Sequence, residues 1–85
     1  MREFNYTIQD ELGIHARPAG ALVKEAKKYT SRIMLKKGEK SADASKLMAI
    51  MCLGIKCGEQ IIVSVEGADE ETAVAGIEAF FKENL

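Results

Sequence analysis

Apolar residues recur along the chain in two rhythms, alternating in some stretches and following helical spacing in others. In residues 3–8, Phe4, Tyr6 and Ile8 fall on one side and Asn5 and Thr7 on the other. That is the pattern of a strand buried on a single face. Residues 9–15, QDELGIH, break the alternation and read as a loop. Ala19, Leu22, Val23 and Ala26 then fall at i, i+3, i+4 and i+7, one apolar stripe on a helix. Lys24, Lys27 and Lys28 take other positions, and the last two suit the negative C-terminal end of that helix. Alternation returns in RIMLKK, residues 32–37, with Ile33 and Leu35 on one face. Gly38-Glu39 turns the chain, and residues 40–43 pair back as a short strand.

The second half repeats the scheme. Ser45 has the chemistry of a helix N-cap. Leu47, Ile50 and Met51 give the following short helix one apolar face, and Gly54 suits the left-handed residue just past its end. Ile61, Val63 and Val65 mark a further strand over 60–66, which Gly67-Ala68-Asp69 closes. Asp69 is a favourable N-cap, and Glu70 and Glu71 stand in the first turn, where the helix dipole favours acids. Ala73, Val74, Ile77, Phe80 and Phe81 form the buried stripe of a terminal helix. The order is β-α-β-β-α-β-α. Half-apolar strands predict an antiparallel or mixed sheet, one face solvated and helices stacked on the other: an α+β sandwich of two layers.

The chain has 85 residues, which predicts one domain spanning 1–85. Twelve basic and 13 acidic residues leave a net charge of −1, so a dedicated nucleic-acid binder is not expected. A β-α-β-β-type RNA binder would also need exposed stacking aromatics and a basic sheet face. No apolar run approaches a membrane span, and no apolar segment follows Met1 in the manner of a secretory signal. Cys52 and Cys57 stand at C-x4-C spacing with no second pair. They read as reduced thiols of a cytoplasmic protein, with no metal site and no cofactor. Gly-rich phosphate loops and zinc-protease or serine-hydrolase motifs are missing, and Asp10, Glu11 and Asp43 show no carboxylate-pair spacing. A free-standing metabolic enzyme is not expected.

The candidate chemistry lies in GIHARPAG, residues 13–20. Pro18 must lie in the first turn of its helix, because deeper in it would remove a hydrogen bond and clash, at ~3 kcal/mol. The helix therefore begins near 15–17 and places His15, the one histidine, at or just before the N-cap. Backbone amides without intrahelical partners point out of that end and favour an anion. Arg17 adds a planar cationic fork suited to phosphate oxygens. A neutral imidazole, the unpaired amides of the helix N-terminus formed by Ala16 and Pro18, where proline itself brings no N–H, and an arginine together suit a phosphoryl group carried on histidine. A lone histidine at a helix start also serves as a cap or a surface residue. The second unusual stretch is KLMAIMCL, residues 46–53. A short helix buries one side only, and Met48 falls on a different side from Ile50. The stretch reads either as core with methionine as filler, or as an adaptable docking patch framed by Lys24 and Lys27.

Residues 13–19, Gly-Ile-His-Ala-Arg-Pro-Ala, resemble the active-site signature of the HPr family, the histidine-containing phosphocarriers of the bacterial sugar phosphotransferase system. KEAKKYTS at 24–31, KSADASKLM at 40–48 and LGIKCGEQI at 53–61 extend the resemblance over the whole chain. It implies a four-stranded antiparallel sheet covered by three helices. It implies that phosphorylated enzyme I passes a phosphoryl group to His15, on Nδ1, and that IIA domains of sugar permeases receive it. Arg17 would support the group in transfer, and residues 47, 48 and 51 with the first helix would form the docking surface. One departure stands out. The regulatory serine of many family members aligns with Lys46, and the serine here is Ser45, about 100° around a helix. A serine kinase and a catabolite-repression regulator are therefore doubtful partners, although a regulatory phosphate on Ser45 would still find the helix N-terminus favourable. Alternative readings are a regulatory module of the same fold, disfavoured by the presence of His15, and a carrier for a nitrogen-related phosphotransfer branch. A monomer is the simplest expectation for a protein that meets several partners through one face.

Overall fold

The computed structural model describes Met1–Leu85. The elements are β1 (Arg2–Thr7), α1 (Ala16–Ala26), β2 (Arg32–Lys37), β3 (Lys40–Asp43), α2 (Leu47–Cys52), β4 (Gln60–Glu66) and α3 (Glu70–Asn84). The strands form one sheet in the order β1-β4-β2-β3, and every neighbouring pair is antiparallel. The alternation along each strand explains the layering. Val63 lies between Phe4 and Leu35, and Leu35 lies beside Ala42, so the apolar rows register on one face. Ile33, Leu35, Ala42, Ile61, Val63 and Val65 are buried there, while Asn5, Thr7, Lys36 and Ser41 stay exposed. A one-residue slip of any strand would exchange the two faces, which is why the pattern fixes the register.

The helices cover the apolar face. Ala19, Leu22 and Ala26 of α1 and Ala73, Ile77 and Phe81 of α3 enter a single cluster of 19 buried apolar residues. Phe81 is its largest member. The rings of Phe4, Tyr6 and Phe80 meet it edge-on at centroid distances of 6.0, 5.4 and 6.2 Å, the arrangement that aromatic quadrupoles favour. The Tyr6 hydroxyl, at the rim, donates to the Phe81 carbonyl at 3.0 Å. No helix is long and apolar enough to cross a membrane.

Three expectations are corrected locally. Ser45 is not an N-cap. That position belongs to Lys46, which makes no side-chain cap. The Ser45 hydroxyl and amide instead donate to Asp43 Oδ1, at 2.6 and 2.8 Å. An aspartate two residues earlier competes for these donors, and the chain turns around it before α2 begins. Asp69 does hold the N-cap position of α3, but its carboxylate makes no cap. It accepts the Ser31 hydroxyl and the amides of Thr30 and Ser31, both at 2.9 Å, tying the entrance of β2 to that of α3. Leu47 and Met51 are not core. Ile50 alone of α2 is buried, and Leu47 is 42% and Met51 37% exposed.

Candidate functional site

Proline sets the position of the site. Pro18 is the third residue of α1, where it sacrifices no hydrogen bond. The N-cap is His15, in extended conformation at φ −95° and ψ −176°. Its carbonyl accepts the Ala19 amide at 3.0 Å, but its side chain makes no capping bond. The imidazole is thus half-buried and uncommitted. The amides of Ala16 and Arg17 belong to the first turn and have no intrahelical acceptor. Arg17 is exposed and paired with no carboxylate.

The loop before the helix is rigidly built. Asp10 accepts the Leu12 amide on its carboxylate and the Gly13 amide on its carbonyl, both at 2.9 Å. Gly13 takes φ +67°, a conformation that side chains disfavour. Ile14 is buried and donates its amide to Ile55. His15 then emerges beside Arg17, Pro18, Ala21, Asp10 and Asn84, which together line a shallow depression of about 250 Å³.

The structure places His15, Arg17 and Pro18 in one depression, with Ala16 opening α1 beside them. It adds two residues that sequence reasoning missed. Asp10 reads there only as a carboxylate without a partner, and Asn84 stands 69 positions from His15 with no signal to connect them. Asp43 lies elsewhere, in a depression of about 350 Å³ lined also by Lys27, Tyr29, Arg32 and Ser45. Burial alone would raise the Asp43 carboxyl, yet the Ser45 hydroxyl and amide, with Arg32 and Lys46, hold it below the usual aspartate range.

The second feature is α2, which packs beside α1. Relative to Ile50, residues 47, 51 and 48 lie about 60°, 100° and 160° around the helix. They form one continuous apolar flank, and Met48 at its far side is 72% exposed. Lys24 and Lys27 are exposed on α1. Lys27 is its C-cap, about 18 Å along the helix from His15, so the structure does not bring it into the histidine depression. Cys52 and Cys57 are free and exposed.

A family model described as the PTS HPr component phosphorylation site matches residues 2–83. The chain belongs to the HPr family. The phosphocarrier protein HPr of Mycoplasma capricolum is 38% identical over 77 residues, 91% of this chain and 86% of that one. The HPr of Lysinibacillus sphaericus is 37% identical, covering 98% and 94%. Among solved structures, a histidine-containing phosphocarrier from Mycoplasma superposes with a TM-score of 0.93 at 34% identity, covering 96% of this chain and 93% of that one. HPr-C-His from Thermoanaerobacter tengcongensis gives 0.87 at 39%, with full coverage of both chains. The swapped dimer of Crh, the Bacillus subtilis catabolite repression protein, gives 0.79 at 29%, covering 100% of this chain and 98% of that one. With HPr membership, the chain is a phosphocarrier of the phosphotransferase system, and its fold is the four-stranded antiparallel HPr sheet under three helices.

Proposed function

We propose that His15 is the phosphoryl acceptor, taking the group on Nδ1 from phosphorylated enzyme I and passing it to IIA domains of sugar permeases. The observation that carries this reading is the uncommitted His15 ring at the N-cap of α1, in one depression with Arg17. The ring nitrogen attacks phosphorus, the bond from phosphorus to the donor group breaks, and the electron pair leaves with the donor. The reverse sequence delivers the group to the next acceptor. Three phosphoryl oxygens carry the developing charge. The Ala16 and Arg17 amides and the positive end of α1 face that charge, and Pro18 fixes where the end falls. The Arg17 guanidinium, free of carboxylates, can swing onto the oxygens as two parallel donors.

Leu47, Met48 and Met51 form the partner-docking flank, with Lys24 and Lys27 at its charged margin. Methionine side chains repack against different surfaces, which fits one carrier serving several partners. The protein acts in the cytoplasm as a stoichiometric carrier, modified once per cycle.

The test is incubation with phosphoenolpyruvate and enzyme I, followed by mass analysis before and after acid treatment. One added phosphate, lost in acid, kept in base and absent in His15→Ala, is expected. An acid-stable phosphate, or none with a competent enzyme I, would overturn the assignment.

A further inference from the structure

Lys37, the last residue of β2, reaches the segment that follows α2. Its Nζ donates to the carbonyls of Leu53 at 3.3 Å and Gly54 at 3.0 Å, and lies 3.0 Å from Glu59 Oε1. Leu53 is the C-cap of α2 and Gly54 follows in left-handed conformation, φ +61°. Carbonyls at a helix end have no intrahelical donor, and the dipole is negative there, so a cation is favoured. All three N–H donors of the ammonium have an acceptor. Glu59 Oε1 also accepts the Lys56 amide, at 2.7 Å. The bond from Lys37 and then that amide hold the Glu59 carboxyl below the usual glutamate range. The pair is partly shielded, with side-chain exposures of 27% and 35%.

The segment so closed touches the histidine loop at its other side. Ile55 accepts the Ile14 amide at 3.1 Å, Gly58 donates to Ile8 at 2.7 Å, and the Ile8 amide donates to Glu59 at 3.0 Å. The bare α-carbon of Gly13 is packed on Ile55 and Lys56, where a side chain would not fit. Residues 53–59 thus join the end of the docking helix to the backbone that leads into His15.

We propose that Lys37 and Glu59 are positioning residues, a clamp on 53–59 that sets the exposed flank of α2 in register with His15. A partner seated on Leu47, Met48 and Met51 then finds the imidazole within reach. This rests on the docking reading above.

The test follows transfer from phosphorylated enzyme I to Lys37→Met, Glu59→Gln, Lys37→Arg and, as a marker of docking, Met48→Asp. Phosphorylation of His15 by phosphoramidate, which needs no docked partner, is measured in parallel. Lys37→Met, which removes all three contacts, and Glu59→Gln, which leaves only a neutral acceptor, are expected to lower kcat about fivefold, because a partner seated on an unchanged flank meets His15 out of register. Their KM and phosphoramidate rates stay unchanged, Lys37→Arg recovers most of the loss, and Met48→Asp raises KM. If Met48→Asp raises KM and neither clamp variant lowers kcat, the clamp is wrong and the docking flank stands. If no variant changes kcat or KM, both are wrong. A parallel fall in the phosphoramidate rate also overturns the clamp, since the damage then lies at His15 itself. Should Lys37→Met fail to fold, Glu59→Gln, which keeps the side-chain shape, decides.

Discussion

Ile14 donates its amide to the carbonyl of Ile55 at 3.1 Å, fastening the loop before His15 to the loop after α2. The histidine is therefore held by backbone on both sides, by this bond before it and by the Pro18-defined helix after it. Preorganisation of this kind matters for transfer, because about 1 Å of misplacement can cost roughly 10²-fold in rate.

Gly13 is the weak point of that fastening. Its φ of +67° disfavours a side chain, and a Cβ would lie 2.7 Å from the Lys56 α-carbon. Backbone atoms cannot swing aside as a side-chain tip can. Gly13→Ala is expected to cost about 1–3 kcal/mol, read from the denaturant midpoint. Phosphoramidate phosphorylation of His15 should slow with it. An unchanged midpoint would show that the two loops can separate freely.

The role proposed for Arg17 is to meet charge in motion rather than to dock a partner. Arg17→Ala is expected to slow phosphoryl transfer at least about tenfold. Calorimetric affinity for unphosphorylated enzyme I should change little. Equal losses in both measurements would defeat the assignment.

The docking flank makes the opposite prediction. Met48 and Met51 contribute little to the core, so Met48→Asp and Met51→Glu should shift stability by no more than about 0.5 kcal/mol. Affinity for enzyme I should fall at least about tenfold, because a charge would be desolvated in the interface. Unchanged affinity by titration calorimetry would remove the flank from the binding surface.

Asp69 supplies a pH signature. The Ser31 hydroxyl and the Thr30 amide hold its carboxyl below the usual aspartate range. A lowered folded-state pKa adds stability above the unfolded value, 3.8, and that stability is lost as pH falls through the lower folded value. Melting temperature should therefore decline with acid in this window. Asp69→Asn should melt lower at neutral pH and show a shallower acid decline. Parallel curves for the two proteins would mean that the carboxylate contributes nothing.

Several features were legible because they depend on residues close in sequence. Alternation placed the strands and their buried faces. Pro18 placed the start of α1 and with it His15 at the N-cap. The motif from Gly13 to Ala19 carried the family. Steric limits on proline and the fixed periods of helix and strand act locally, so a sequence can be read for them directly.

Other features required distant segments to meet. Ser45 and Asp69 are both good caps by type, but Asp43 captured one and Thr30 and Ser31 the other. Leu47 and Met51 are apolar at helical spacing, yet Ile50 alone found the core, because a six-residue helix offers one side to its support. Asn84 reached the histidine depression only through the path of α3 across the sheet. Sequence by itself determined which segments are helix and strand, which faces are apolar and where the one histidine stands on its helix. Tertiary structure decided which carboxylate takes which hydroxyl, which methionines face solvent and what holds the His15 loop in place. The first set follows from local backbone geometry and periodicity. The second follows from competition among donors, acceptors and apolar surface that are far apart in the chain.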